Sequence, residues 1–367
     1  MSPEAFAWGV HGGFGYVTRT LARELAHRGV EVSVVTQRRR GQREIEELDG
    51  FTVYGYPSHF GAPHIVRAFR SRMDSLQYYK LVNADIYHSQ EASYNTIAAQ
   101  SACPKKKHLI TFQDPYDEGE WRRISLVEPT FRMTPSFRAR LWFEQRALSS
   151  ACRRATALYT QASFLSPRVK KLYGLGSEPA FLPNPVYVPR RRIRKSDTPM
   201  VCFLARWDPQ KRVNLFLDLA RRFPNVHFVA MGRGHDLVRD AEIRRSYVGV
   251  SNLDMTGFID EEEKSRVLEE SWALVNTSVR EALPVSFLEA LAHETPIISG
   301  EDPDGLTSTY GLKVVGDDYV SAIKVMLGSE DWFRIGRRGR AHVEEVYEVG
   351  TVVEQHLKAY RSAIGEE

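Results

Sequence analysis

The chain has 367 residues, of which 43% are hydrophobic and 26% charged, with a formal net charge of +4. Because a single core seldom grows past ~250–300 residues, this length predicts two domains. No apolar run reaches the ~18 residues of a membrane span, and no signal-peptide pattern opens the sequence. The three cysteines show no metal or disulfide spacing. These features exclude transmembrane proteins and disulfide scaffolds, and they favour a cytoplasmic enzyme or binding protein.

Lys and Arg are divided equally between residues 1–184 and 185–367, but Asp and Glu are fewer in the first half, so that half is net basic and the second half is net acidic. A basic half favours an anionic acceptor, an anionic membrane surface or nucleic acid, and solvated surface arginines explain it equally well. No nucleic-acid-binding motif accompanies the charge, so we expect no nucleic acid partner.

Alternating β-rich runs and amphipathic helices follow one another through the first half. Val17, Leu21 and Leu25 share one helix face, and Gly29 ends that helix. The remaining predictions are strands at 30–36, 51–54, 86–88, 108–112 and 157–160, and helices at 64–82, 91–101 and 136–155. This alternation predicts parallel sheets with helices on both faces.

The alternation is interrupted at residues 182–195, where prolines and a basic run predict an exposed linker. It then resumes, with strands at 200–204, 226–231, 272–276 and 296–299, and helices at 211–222, 261–270 and roughly 331–364. We therefore predict an α/β protein with two doubly wound, Rossmann-like domains. The predicted domains are 1–184 and 185–351, with a C-terminal helix at about 352–365 that packs back on the first domain.

Two glutamates give the strongest functional signal. Glu281 lies on a loop after a predicted strand, and Glu289 lies eight positions later, about two turns into the following helix. In open α/β sheets, ligands bind at the carboxyl ends of strands and at helix N-termini. Two carboxylates in these positions can hold two hydroxyl-bearing parts of one ligand.

Three further motifs point to a phosphorylated ligand. The loop of Gly12 and Gly13 precedes the first helix, where free N–H groups and the helix dipole suit a phosphate. Arg206 and Lys211 flank a strand-to-helix turn and can neutralise a diphosphate. Gly257 and Phe258 follow another apolar run and can flank a nucleotide base. Each motif also has a plain structural explanation, as a tight turn or as surface cations.

In this order and spacing, these residues resemble a GT-B fold glycosyltransferase of family 4, a retaining, nucleotide-sugar-dependent group. The resemblance covers nearly the whole chain. It rests on Gly12-Gly13, on Arg206 and Lys211, on the Pro183-Asn184 turn, and on Glu281 with Glu289. It implies two Rossmann-like domains that face each other across a cleft.

The resemblance also implies a role for each matching residue. Glu281 would hydrogen-bond hydroxyls of the donor sugar and Glu289 would hold the ribose, while Arg206 and Lys211 would bind the diphosphate. Backbone N–H groups of Val285, Ser286 and the Gly12-Gly13 loop would add donors. The family acts without a bound metal or other cofactor, and retention would follow from front-face attack with the leaving phosphate as base.

The sequence departs from the family pattern on the acceptor side. It keeps His88 but has Gln90 where a second histidine is common, and Gln113-Asp114 where a later histidine is usual. We expect His88 and Gln113 to lie on the acceptor side. Asp114 would contact the acceptor or serve as its base.

Several alternatives and partners stay open. The acceptor is a sugar, a lipid-linked molecule or another small molecule. The basic amphipathic helix at 64–80 would either contact an anionic membrane, at the inner face of which the protein would then be peripheral, or simply pack on its own core. A catalytically silent nucleotide-sugar-binding or partner-binding protein is the competing function. A Rossmann oxidoreductase is disfavoured because no Gly-x-Gly-x-x-Gly opens a helix.

The start of the chain is the last departure. The family's first β-strand should precede residues 2–4, so we expect the native protein to begin upstream of Met1. Mass spectrometry of the protein from its native source tests this expectation.

Overall fold

A computed structural model of the protein describes residues 1–2, 7, 12–57, 59 and 64–366, with residues 64, 65, 67 and 68 described by their backbone only. The chain divides into two compact units. The first consists of Met1–Pro115, Thr134–Pro185 and Gly350–Glu367, and the second of Tyr116–Met133 and Val186–Val349. Residues 116–133 thus lie in the second unit, although the predicted domain boundaries placed them in the first.

The described strands of the first unit form two sheets. Strands β1 (Ser33–Gln37), β3 (Phe51–Tyr56) and β2 (Ile45–Leu48) are adjacent in that order, with β2 antiparallel to β3. Strands β4 (Ile86–Ser89), β5 (Lys107–Phe112), β6 (Ala157–Thr160) and β7 (Ala180–Phe181) form an all-parallel sheet. The helices of this unit are α1 (Gly13–His27), α2 (His64–Val82), α3 (Tyr94–Ala102), α5 (Pro135–Arg154), α6 (Leu165–Tyr173) and α14 (Val349–Ile364).

Helix α1 shows how the sequence pattern produces packing. Val17, Leu21 and Leu25 are all buried, as their helical spacing predicts. Gly29 adopts φ +82°, a left-handed conformation that favours glycine and directs the chain out of the helix toward β1.

The second unit has a single parallel sheet of six strands. These strands are β8 (Met200–Leu204), β9 (His227–Met231), β10 (Leu253–Gly257), β11 (Ala273–Asn276), β12 (Ile297–Ser299) and β13 (Gly311–Lys313). Its helices are α4 (Glu118–Ser125), α7 (Val213–Arg222), α8 (Leu237–Ser246), α9 (Glu261–Glu270), α10 (Val285–Ala292), α11 (Leu306–Thr309), α12 (Tyr319–Leu327) and α13 (Asp331–Val346), with 3₁₀ turns at Pro209–Lys211 and Pro303–Gly305.

The strand order in this sheet reverses between β8 and β11. The order is β10-β9-β8-β11-β12-β13, so the chain builds outward from β8 in one direction and then returns to build outward from β11 in the other. Ligands of doubly wound sheets bind outside the carboxyl ends of the strands at such a reversal. The loops after β8 and β11 are therefore where a ligand of this unit is expected.

Among the helices that the structure describes, none combines the length and the apolar composition that crossing a bilayer demands.

Candidate functional site

The loops after β8 and β11 are fastened to each other. The Thr277 hydroxyl donates to the Lys211 carbonyl at 2.7 Å, and Arg212 Nε donates to the Thr277 carbonyl at 2.7 Å. Arg212 also makes a two-pronged ion pair with Asp317, with distances of 2.6 and 2.8 Å. These contacts fix Lys211 at the sheet reversal.

Glu281 is held through one of its two carboxylate oxygens. Its Oε1 accepts hydrogen bonds from Lys211 Nζ at 2.6 Å, Ser278 Oγ at 2.6 Å and Asn276 Nδ2 at 3.1 Å. Within the described part of the chain, Glu281 Oε2 accepts no hydrogen bond. A fixed carboxylate with one uncommitted oxygen is suited to accept a hydroxyl from a ligand.

The same contacts set the charge of Glu281. Burial opposes ionisation, but the charge of Lys211 and the three donors outweigh it, so the pKa of Glu281 lies below its ordinary value. The carboxylate is therefore ionised at neutral pH and acts as an acceptor.

Glu289 lies on α10 and pairs with a residue that sequence reasoning missed. Lys264 Nζ on α9 is 2.6 Å from Glu289 Oε1 and also contacts Glu261. Burial raises the pKa of Glu289, and the charge of Lys264 only partly offsets this effect. No sequence signal distinguished Lys264, because α9 begins with three consecutive glutamates and carries mostly charged residues.

Arg206 follows β8 on the same side of the sheet as Lys211, but it does not contact Glu281. Its side chain is 39% exposed, and its guanidinium lies 3.2 Å from Asp208. Val285 and Ser286 open α10, where their N–H groups lack intrahelical acceptors and the helix dipole is positive. A diphosphate at this edge would meet two cations and a helix N-terminus.

Gly257 and Phe258 lie where β10 ends, on the edge of the sheet. The Gly257 carbonyl accepts the Gly232 N–H at 2.7 Å, and Phe258 is 46% exposed. Gly232 has φ +116°, and a Cβ there would lie 2.0 Å from the Ala205 carbonyl oxygen. Glycine is therefore required for the loops after β8 and β9 to approach this closely.

In the first unit, the surroundings of His88 argue against the expected contact with an acceptor. Its Nδ1 lies 2.9 Å from the Tyr360 hydroxyl and its Nε2 lies 2.7 Å from Thr111 Oγ1. Burial, and then the neighbouring His356, hold the pKa of His88 well below its ordinary value. A neutral imidazole with both nitrogens occupied instead anchors α14 to β4 and β5.

Gln113 is committed to a buried amide network. Its Nε2 donates to Gln90 Oε1 at 2.8 Å and to Asn184 Oδ1 at 2.9 Å, and Asn184 Nδ2 donates back to Gln113 Oε1 at 2.7 Å. Gln113 and Asn184 are both buried. The side chain therefore connects the end of β5 to the Pro183-Asn184 turn, and both its amide nitrogen and its amide oxygen have partners within the protein.

Asp114 is positioned by Glu91, which sequence reasoning also missed although it directly follows Gln90. Glu91 Oε2 accepts the backbone N–H groups of Gln113 at 3.0 Å and Asp114 at 2.8 Å. Burial raises the pKa of Glu91 to about 7, against the lowering effect of its N–H donors. Asp114 stays the candidate for the acceptor side.

The glycine loop precedes α1 as predicted. Gly12 is the extended residue before the helix, and Gly13 is its first residue. His11, which belongs to the same motif, lies outside the described residues. Across the described ranges, no group of three or more His, Cys, Asp or Glu side chains is placed to hold a metal ion. Metal-independent action stays a prediction.

Buried histidines predict a loss of stability in mild acid. Burial lowers the pKa of His356 and of His293 to about 4. Because the unfolded chain takes up protons below pH ~6.5 and these folded imidazoles do not, each lowers the free energy of unfolding by about 1.4 kcal/mol per pH unit as the pH falls from ~6.5 to 4.

Urea unfolding at pH 7 and pH 5 tests this expectation. We expect His356→Gln to reduce the loss of stability between the two pH values. Val248→Ser, at an exposed position without a titratable side chain, is the control and should leave that loss unchanged. An equal loss in His356→Gln and the unmodified protein would contradict the expectation.

Two family models together match residues 11–316 of the chain. Residues 11–190 match the family model "Glycosyltransferase Family 4", and residues 189–316 match "Glycosyl transferases group 1". A curated relative, glycosyltransferase 1 domain-containing protein 1 from Xenopus tropicalis, is 27% identical over 105 residues, which are 28% of this chain and 30% of that protein's length.

Two solved structures are similar over almost their full length. Sucrose-phosphate synthase from Thermosynechococcus elongatus has a TM-score of 0.79 at 17% identity, with 100% of this chain and 96% of that chain covered. HepE from Anabaena, solved in complex with UDP, has a TM-score of 0.73 at 12% identity, with 98% of each chain covered. At these identities, the similarity establishes a common fold.

Proposed function

Because the chain belongs to glycosyltransferase family 4 and has the GT-B fold, we propose that it transfers a sugar, with retention of configuration, from a nucleotide diphosphate sugar to an acceptor hydroxyl. The observation that carries the proposal is the carboxylate of Glu281, fixed through one oxygen beside Lys211 at the sheet reversal. HepE, which shares the fold, has been solved with UDP and with UDP-glucose. That is the class of donor proposed here.

Different residues contact the sugar and the nucleoside diphosphate of the donor. Glu281 Oε2 accepts a sugar hydroxyl and Glu289 accepts a ribose hydroxyl. Lys211, Arg206 and the N-terminus of α10 surround the diphosphate. As the bond between the anomeric carbon and the phosphate oxygen breaks, the diphosphate gains negative charge. Fixed positive groups therefore stabilise the transition state more than the ground state.

Retention follows if the acceptor attacks from the face that the diphosphate leaves. The acceptor oxygen forms the new bond to the anomeric carbon while the old bond to the phosphate oxygen breaks. The acceptor proton passes to the departing phosphate. No protein nucleophile is needed, which accords with Glu281 being engaged by three donors.

The acceptor is proposed to bind near Asp114 in the first unit. The amide network of Gln113 and the carboxylate of Glu91 fix the backbone there, so the Asp114 side chain is presented from a rigid loop. It would orient the acceptor hydroxyl or take part in moving its proton. A sugar, a lipid-linked molecule or another small molecule would fit this role.

A panel of paired ligands tests the proposal. UDP, ADP and GDP are compared with UDP-glucose, ADP-glucose and GDP-mannose by thermal stabilisation, since a ligand at 100 times its Kd adds about 2.7 kcal/mol of stability. We expect one pair to raise the Tm selectively. The nucleoside diphosphate should then be released in an acceptor screen, with or without EDTA.

Three outcomes separate the alternatives. Stabilisation with release of diphosphate supports the transferase. Stabilisation without turnover across a broad acceptor screen favours the catalytically silent binding protein. A protein that no member of the panel stabilises contradicts the proposed donor.

We further propose that α2 contacts an anionic membrane. Val66, Phe69 and Met73 are 41%, 63% and 50% exposed, and their spacing places them on one helical face; Arg70 is also exposed. Leu76, by contrast, packs on the core. The side chains of Ile65, Arg67 and Ala68, which belong to the same helix, lie outside the description.

Co-sedimentation with vesicles tests the membrane contact. We expect binding to vesicles that contain phosphatidylglycerol, little binding to pure phosphatidylcholine, and loss of binding in Phe69→Ser/Met73→Ser. Val248→Ser, at an exposed apolar position of the second unit, is the control. Equal binding of the double variant and the unmodified protein would rule out this face.

A further inference from the structure

The segment Tyr116–Met133 leaves the first unit after β5 and packs within the second unit. Glu120, on its short helix α4, makes an ion pair with Arg280, the residue directly before Glu281. The side chains of Arg280 and Glu120 are 2% and 7% exposed. A buried ion pair of this kind holds its two partners in one arrangement, because separating them leaves a buried charge without compensation.

An aromatic surface supports the same arginine. The Arg280 guanidinium lies over the Tyr116 ring, 3.9 Å from its centroid. Tyr116 contacts Trp121 at 4.8 Å between ring centroids, and Trp121 contacts Phe131 at 5.4 Å. The arginine is thus fixed by a charge on one side and a π face on the other.

A second arginine of the segment, Arg123, contacts residues on either side of Arg280 and Glu281. Arg123 donates to the Val279 carbonyl and pairs with Glu301. Glu301 Oε2 accepts the backbone N–H of Glu281 at 3.3 Å, and the Glu301 N–H donates to Ser299 Oγ at 3.0 Å. Three consecutive residues, 279 to 281, are therefore anchored directly or indirectly to residues 116–133.

These anchors matter because the backbone around Glu281 has no regular structure of its own. Strand β11 ends at Asn276 and α10 begins at Val285, so residues 277–284 have neither a strand ladder nor helical hydrogen bonds. Besides a backbone hydrogen bond from the Val279 N–H to the Gln210 carbonyl at 3.0 Å, their position depends on side-chain contacts. Catalytic groups displaced by ~1 Å can lose about 100-fold in rate.

We propose that Glu120, Arg280 and Arg123 are positioning residues that place the Glu281 carboxylate against the donor sugar. The inference rests on the proposed function. The Arg280 guanidinium is engaged by Glu120 and by the Tyr116 ring, so it acts through the loop. Because Glu281 meets the sugar and other groups meet the nucleotide, loosening these anchors should weaken binding of the nucleotide sugar and spare binding of the parent diphosphate.

Calorimetry on the ligand pair that the panel selects provides the test. The variants are Glu120→Gln, Arg280→Gln and the two combined, and Glu118→Gln, an exposed glutamate on the same helix, is the matched control. We expect Glu120→Gln to raise the Kd of the nucleotide sugar about tenfold. The Kd of the diphosphate should rise by less than about twofold. The combined variant should be no worse than either single change, since both remove one interaction.

A general structural role would give a different pattern. The positioning role would be overturned, and the proposed function left standing, by any of three results. These are equal weakening of the binding of both ligands, additive effects of the two single changes on binding, and no weakening of binding at all. An unmodified protein that binds neither member of any pair would overturn the proposed function, and the positioning role with it. If Glu120→Gln fails to fold, Arg123→Gln, whose side chain is 43% exposed, replaces it with the same expected selectivity.

Discussion

Replacing Glu281 with alanine is expected to lower kcat/KM by about 100-fold or more. The variant loses the carboxylate that accepts the sugar hydroxyl, and the donors Lys211, Ser278 and Asn276 lose their shared acceptor. The effect should fall on kcat as well as on binding of the nucleotide sugar, because the sugar is then poorly oriented for attack. Initial rates of diphosphate release measure it.

Glu262→Ala is the matched control for this change, since Glu262 is an exposed glutamate of the same unit. Its kinetics should equal those of the unmodified protein, and both variants should keep their circular dichroism spectra. A folded Glu281→Ala protein with near-normal turnover would show that the carboxylate does not contact the reacting sugar.

Replacing Lys211 with methionine is expected to reduce turnover by about 100-fold or more as well, and to change its pH dependence. The change removes a cation from the diphosphate. It also removes the charge that lowers the pKa of Glu281, while burial, which raises that pKa, remains. The pKa of Glu281 should therefore rise, and the acid limb of the rate profile should move to higher pH.

Rates measured from pH 5 to pH 9 test both parts of this expectation. Lys324→Met, at an exposed position on α12, is the control and should leave the profile unchanged. A Lys211→Met variant with a reduced rate but an unshifted acid limb would mean that Lys211 serves the diphosphate alone. An unchanged rate would remove Lys211 from the site.

Elements with a strong internal pattern were predictable from the sequence. The bounds of α2, β6 and β8 agree with the predictions, because their apolar spacing or apolar runs reflect local geometry. Helix α4 was missed, since its buried residues are only Glu120 and Ile124. A charge buried against Arg280, far along the chain, leaves no periodic signal in its own segment.

The site was predictable in its parts but not in its contacts. The spacing identified Lys211 and Glu281 separately, whereas their ion pair depends on the adjacency of β8 and β11. His88 lies near the end of β4, yet its ring contacts Tyr360, 272 positions away. Only the packing of α14 determines that contact, so no local pattern could reveal it.

A crystal structure with the nucleotide sugar that the panel selects tests the central claim most directly. We predict the diphosphate within hydrogen-bonding distance of Lys211 and Arg206 at the carboxyl ends of β8 and β11, with a sugar hydroxyl on Glu281 Oε2. A donor bound elsewhere, or bound at this edge without contact to Glu281 and Lys211, would contradict the account.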